Sequence, residues 1–287
     1  MNANLTLRAM KFPITLRKKA ERKVLRKKEE ILRLREEIKT LKAEKKQAIR
    51  EVKRSFADLS RENFNRRRLI ATALIGEGIE IGALHFPLPV PEGTKVRYVD
   101  MSTKEENIKR YPHLDAAAIV ETDYLCNGES LEVIEDESQD FVISNHMLEH
   151  CINPLGTLRN FLRVTRPGGL LFITLPDKRF TFDAKRPVTP FAHIEEDFKI
   201  DRKVEDLEVY ELWAKYVREG ADPIALHRNQ NNIHFHAWTQ WEILEMFIEA
   251  GRRLGFPLEI EWAAKSGGEF IVLLRKEEST SGLESAH

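Results

Sequence analysis

Cysteine is almost missing from this chain: Cys126 and Cys151 are the only two in 287 residues. They form no metal-ligand or redox spacing, and a reducing cytoplasm is the expected setting. No apolar run approaches the roughly 20 residues that cross a bilayer, so no transmembrane segment is expected. The first residues carry no apolar core followed by a small-residue cleavage site, so no secretion signal is expected either. Net charge is also absent, with 46 Lys and Arg against 46 Asp and Glu. Proline and glycine are missing from Leu16 to about Phe64, which leaves nothing to break a helix there.

The balanced total hides an asymmetry. Residues 17–68 hold 21 Lys and Arg against 9 Asp and Glu, and the remainder is correspondingly acidic. Ile31, Leu34, Ile38 and Leu41 recur at alternating three- and four-residue steps, and Ile49, Val52, Phe56 and Leu59 do so again. The two registers are offset near Lys45, as a stutter in a coiled coil would be. Residues 1–68 therefore read as a basic helical arm that pairs with a second copy of itself. A single solvated helix is the alternative. The arm has no interleaved aromatics, so base stacking is not expected of it. Leu69 to Leu74 reads as a separate short helix before Gly76.

From residue 69 the pattern changes. Gly78-Ile79-Glu80-Ile81-Gly82 is a short apolar strand around an acid, ending in a glycine that permits a tight turn. Lys95 to Val99 is a second strand, ending in Asp100, a carboxylate placed to accept hydrogen bonds from ribose hydroxyls. Further apolar runs follow at Ala117–Val120, Asp140–Ser144 and Leu170–Leu175, with a helical stretch from Leu155 to Val164. Strand, helix, strand at this spacing predicts βαβ units and a parallel sheet. Trp241 to Ala250 reads as an amphipathic helix. Leu258–Ala263 and Glu269–Leu274 read as a hairpin turning at Ser266-Gly267-Gly268.

Residues 70 to 275 together resemble the class I S-adenosylmethionine-dependent methyltransferases, type 11-like, of the glycan and small-molecule subgroup. The resemblance implies an α/β Rossmann-like fold: a doubly wound seven-stranded sheet with an antiparallel last strand over residues 69–275, and a polar tail at 276–287. It implies S-adenosyl-L-methionine as cofactor. Glu80 and Gly82 match the first motif, Asp100 the ribose-binding acid with Met101 beside it, and Asp123 the acid that contacts the adenine amino group. Tyr124 or Leu125 would flank the ring. Ser144, Asn145 and His146 match the segment that borders the methyl group and the acceptor, and Pro167-Gly168-Gly169 the turn before the fifth strand. Where the family often has further glycines in the first motif, this chain has Ala83 and Leu84.

The segment 177–240 is too long for an ordinary connection and reads as a helical insertion on the acceptor side. Its run from Asn231 to Thr239 mixes aromatic and hydrogen-bonding groups, as sugar sites do. The expected activity is O-methylation of a carbohydrate or hydroxylated metabolite in surface-glycan biosynthesis. His146, His193 and His236 are the candidate bases, with His234 beside them. No metal is assigned; His234, His236, His193 and Glu196 would be the ligands if one bound. The expected partners are a small-molecule or glycan acceptor, a second copy through the coil, and a glycosyltransferase. Nucleic acid is not expected: the acidic globular part repels phosphates, and the fourth strand ends in Ser-Asn-His, not the Pro-Pro-aromatic run of amine-methylating enzymes. A scaffold that binds cofactor weakly and a nicotinamide-dependent dehydrogenase are the other readings.

Overall fold

The computed structural model describes residues 14–204 and 206–278. The chain divides into two compact units, Met1–Asp58 and Leu59–His287. A continuous helix, α1, runs over Ile14–Ala71. The short helix expected at Leu69–Leu74 is therefore the end of α1 and a turn beyond it. In the first unit Ile31, Leu34, Ile38 and Leu41 are all half or more exposed. The side chains of the second register at Val52, Phe56 and Leu59 lie outside the described residues, as does most of the tail.

The second unit is built on seven strands: β1 (Glu77–Ile81), β2 (Lys95–Asp100), β3 (Tyr124–Leu125), β4 (Gln139–Asn145), β5 (Thr165–Pro176), β6 (Leu258–Ser266) and β7 (Glu269–Lys276). They lie in the order β3-β2-β1-β4-β5-β7-β6, with β7 antiparallel to both its neighbours and the other pairings parallel. This is the expected α/β Rossmann-like, doubly wound seven-stranded sheet with its antiparallel last strand. The order reverses between β1 and β4, and a crevice opens at such a switch point beyond the carboxyl ends of the strands.

Helices cover the sheet and explain its apolar runs. They are α2 (Lys104–Arg110), α3 (Pro154–Val164), α4 (Phe191–Lys199), α5 (Leu207–Tyr216), α6 (Pro223–Arg228) and α7 (Gln240–Leu254). One face buries Ile79, Val142 and Ile173 with Leu155 and Phe161 of α3 and Met246 and Phe247 of α7. The other buries Phe141, Ile143, Phe172 and Leu273 with Ile70 and Leu74 at the end of α1 and Leu88 of the β1–β2 loop. Neighbouring residues of β4 thus point to opposite, equally buried faces, and the strand reads as a continuous hydrophobic run. Capping sets the helix ends. Asn153 accepts from Gly156 N–H ahead of Pro154, and Thr239 with Glu242 forms a capping box on α7. Gly255 closes α7 at φ +68.

Two expectations need correction. The run Ala117–Val120 is not a strand; the third strand is only Tyr124–Leu125. The turn Arg166–Gly169 interrupts β5 without preceding it, because pairing with β4 jumps from Gln139↔Thr165 to Phe141↔Leu170. Residues 177–240 carry α4, α5 and α6: Phe191 and Ile194 of α4 join the main core, and α5 and α6 pack on a small cluster of Val209, Tyr210, Ile233 and Phe235.

Candidate active site

A cleft of about 370 Å³ opens at the switch point, lined by Gly82, Asp100, Met101, Asn145 and His146 among others. Each comes from a strand end. Glu80 stands beneath it, 1% exposed. Its carboxylate accepts the Leu88 N–H at 3.0 and 3.1 Å and an Nδ2–H of Asn145 at 3.1 Å. Asn145 in turn accepts from the Thr174 hydroxyl at 3.0 Å. Burial pushes the Glu80 carboxyl up to about 7, against the pull of these hydrogen bonds. Glu80 is thus the strut that fixes the β1–β2 loop and Asn145.

Gly82 leaves β1 at φ +66, and a β-carbon there would meet nothing within 4 Å. Gly82 N–H donates to the Val99 carbonyl at 2.9 Å, tying the turn to β2. Asp100 ends β2 with one carboxylate oxygen accepting from Ser102 N–H at 2.9 Å. Gly128 closes the far side: a β-carbon there would sit 2.5 Å from Cγ2 of Ile81, so only glycine lets this loop approach β1 so closely.

Asp123 and Tyr124 do not line the cleft. Asp123 enters β3 and does not leave it, and its carboxylate accepts Tyr98 N–H at 2.8 Å. The Tyr124 hydroxyl accepts from Arg97 at 3.0 Å. The exit of β3 is Asn127-Gly128-Glu129, which does line the cleft, as do Arg110 and Tyr111 at the end of α2. With Ala117–Val120 taken as the strand, sequence reasoning fell one strand-length short. The glycine of Asn127-Gly128-Glu129 was the signal that could have found it.

The histidines separate sharply. His146 lines the cleft in a left-handed conformation, φ +52. Its Nε2 lies 2.8 Å from Glu269 and its Nδ1 3.4 Å from Glu149. Burial pulls its pKa down, but the two carboxylates outweigh that and hold it up at about 9. His146 is a cation at neutral pH, not the expected base. His236 is buried, stacked on Trp238, and donates from Nε2 to the Cys151 carbonyl at 2.9 Å. Burial first, and His193 next, press its pKa down to about 3. His193 lines a separate pocket with Thr189 and Pro190 and faces Asp197 at 3.3 Å. Neither lines the cleft: His193 sits on α4, and His236 lies in the irregular run after α6.

The other histidine of the cleft wall is His150. It lines the cleft with Asn232, and its Nδ1 lies 2.8 Å from Asn232 Oδ1 and 2.9 Å from the Ile233 carbonyl. Both partners accept, so Nδ1 carries the proton and Nε2 keeps its lone pair. Glu149, next to it, is fully buried with neither carboxylate oxygen hydrogen-bonded.

Residues 75–173 match a family model described as a methyltransferase domain. Among solved structures, the chain is similar to a SAM-dependent methyltransferase from Aquifex aeolicus, at 17% identity over 71% of this chain and 84% of that one, TM-score 0.40. It is also similar to one from Methanosarcina mazei, at 14% identity over 72% and 94%, TM-score 0.40. No curated protein sequence matches the chain.

Proposed function

We propose that this chain is an S-adenosylmethionine-dependent methyltransferase acting on a hydroxyl of a carbohydrate or hydroxylated metabolite. The observation that carries the reading is the cleft at the switch point, where Gly82 leaves room for a ligand against the backbone and Asp100 offers a carboxylate from the next strand. That pairing suits a nucleoside: Asp100 for the ribose hydroxyls, and the Asn127–Glu129 loop with Tyr111 for the base end. Bound there, the cofactor supplies a methyl group on a good leaving group, so the protein's work is alignment. Asn145, fixed by Glu80 and Thr174, and His146, held as a cation, form the wall at the end of β4.

A hydroxylated acceptor is supported by the surroundings. Phe182 is 56% exposed and packs against Trp213 at 5.5 Å and His234 at 4.7 Å, an aromatic surface of the kind that sugar rings cover. Calorimetry with S-adenosylmethionine and S-adenosylhomocysteine tests the reading. Micromolar binding that Asp100→Ala abolishes is the expected result. No binding at millimolar cofactor would hand the case to the scaffold reading.

The exposed stripe Ile31, Leu34, Ile38 and Leu41 is proposed to pair with a second copy of α1, since a lone helix leaves it in water. The same coil would seat the enzyme beside a glycosyltransferase in surface-glycan assembly. Light scattering tests the first point, and recovery of a glycosyltransferase on the tagged chain tests the second.

A further inference from the structure

We propose that Glu149, His150 and His234 form a binding site for a divalent cation at the acceptor wall of the cleft. Ligand atoms of the three lie within 4.8 Å of one another, and no other such group occurs among the described residues. Proximity alone would mean little. Two further features turn the cluster into a ligand set.

The first is Glu149. Its relative exposure is 0%, yet both carboxylate oxygens lack a hydrogen bond. A buried carboxylate with no hydrogen bond and a single charged neighbour is costly, and a coordinated cation is one arrangement that makes it tenable. His146 Nδ1, at 3.4 Å, gives it a nearby positive charge but no short contact.

The second is how the two imidazoles are held. His234 Nδ1 lies 2.6 Å from Asp183, itself paired with Arg186 at 2.9 Å. His150 Nδ1 faces Asn232 and the Ile233 carbonyl. In each ring the acceptors orient an Nδ1–H, so the neutral ring has its lone pair on Nε2 and can ligate through it. A carboxylate or carbonyl behind the far nitrogen is the usual outer shell of a metal-bound histidine. The rings themselves meet edge to face at 4.6 Å.

Two imidazoles and one carboxylate suit zinc, manganese, cobalt or iron in the divalent state, and leave coordination positions open. His150 and Asn232 belong to the cleft wall, so an open position there would take an oxygen of the acceptor and polarise it. The existence of the site is independent of the methyltransferase reading; this use of it rests on that reading. Coordination would lower the pKa of the acceptor hydroxyl, so that its proton can pass to solvent water as the oxygen takes the methyl group.

The test is a titration of the chelator-treated full chain with manganese, cobalt and zinc ions in turn, with metal content counted after desalting. One cation per chain is expected, with a visible absorption band from cobalt. His234→Ala and Glu149→Gln should each weaken binding by about tenfold or more, and Asp183→Asn by about tenfold. His193→Ala should leave it unchanged. Circular dichroism checks each variant; should His234→Ala fail to fold, His234→Gln is measured with the same readout. S-adenosylmethionine binding is followed in the same samples and should survive His234→Ala, since His234 does not line the cleft. Absence of saturable binding below millimolar metal, or undiminished binding in His234→Ala, would overturn the site. Metal binding without cofactor binding would defeat the methyltransferase reading and leave the site standing.

Discussion

Glu80→Gln should make the protein more stable at alkaline pH and remove a pH dependence that the native chain carries. Glu80 is buried, and burial lifts its carboxyl from 4.5 to about 7. A folded value above the unfolded one means that the folded state holds its proton more tightly. The associated stability is complete below the unfolded pKa and is lost as pH rises through about 7. The displacement corresponds to about 3 kcal/mol in total, of which about 2–3 kcal/mol falls between pH 5 and pH 8. Glutamine has nearly the same shape and a carbonyl that still accepts Leu88 N–H, but no proton to lose. Urea unfolding of both proteins at the two pH values, followed by tryptophan fluorescence, gives four free energies. The difference between variant and wild type at one pH, minus that at the other, cancels every group the two proteins share. The variant should gain about 2–3 kcal/mol on the wild type between the lower and the higher pH. A difference that stays flat, or changes in the other sense, refutes the argument that Glu80 sits as a strained buried acid.

Gly82→Ala forces a β-carbon into a left-handed turn at φ +66, costing about 1–2 kcal/mol by thermal melts, and should weaken S-adenosylmethionine binding because that carbon enters the open cleft. Asp123→Ala removes the acceptor for Tyr98 N–H and should cost about 1 kcal/mol of stability, with cofactor affinity by calorimetry unchanged. Loss of affinity there would restore Asp123 to the adenine site. Ile38→Lys puts a charge in the middle of the exposed stripe and should halve the mass seen by light scattering; an unchanged mass rejects the paired coil.

The sheet was legible because both its faces are covered. Runs such as Phe141–Ile143 and Leu171–Ile173 are apolar at every position, and no helix periodicity competes with them. Cleft-lining residues at the ends of long strands were legible for the same reason: Gly82, Asp100 and Asn145 stand where runs with unambiguous ends stop. Asp123 failed because β3 is two residues long, too short for any periodicity, and a longer apolar run just upstream took its place. The histidines failed for a different cause. Their roles depend on which carboxylates fold against them, and the partners lie far away in sequence: Glu269 is 123 residues from His146, and Asp183 is 51 from His234. No local pattern encodes such pairs.

These distant pairs explain how the acceptor wall is built. Arg67, near the end of α1, grips Glu269 at the start of β7 through two hydrogen bonds, one of 2.8 Å. Glu269 holds one nitrogen of His146 at the end of β4, and Glu149 stands at the other. Positive and negative groups alternate along this line, so each charge has an opposite neighbour and none can be removed without exposing the next. His146 is thereby held between two carboxylates, and the next groups along the wall lie one turn further on. There Glu149, which accepts no hydrogen bond, stands with His150 and His234 in the proposed cation site. The chain that disqualifies His146 as a base is the same chain that delivers Glu149 to the metal-type cluster, so Arg67→Ala should disturb cation binding from outside the cleft. Metal titration of that variant, beside its melting temperature, measures the link: weaker binding in a protein that still folds supports it, and unchanged binding breaks it.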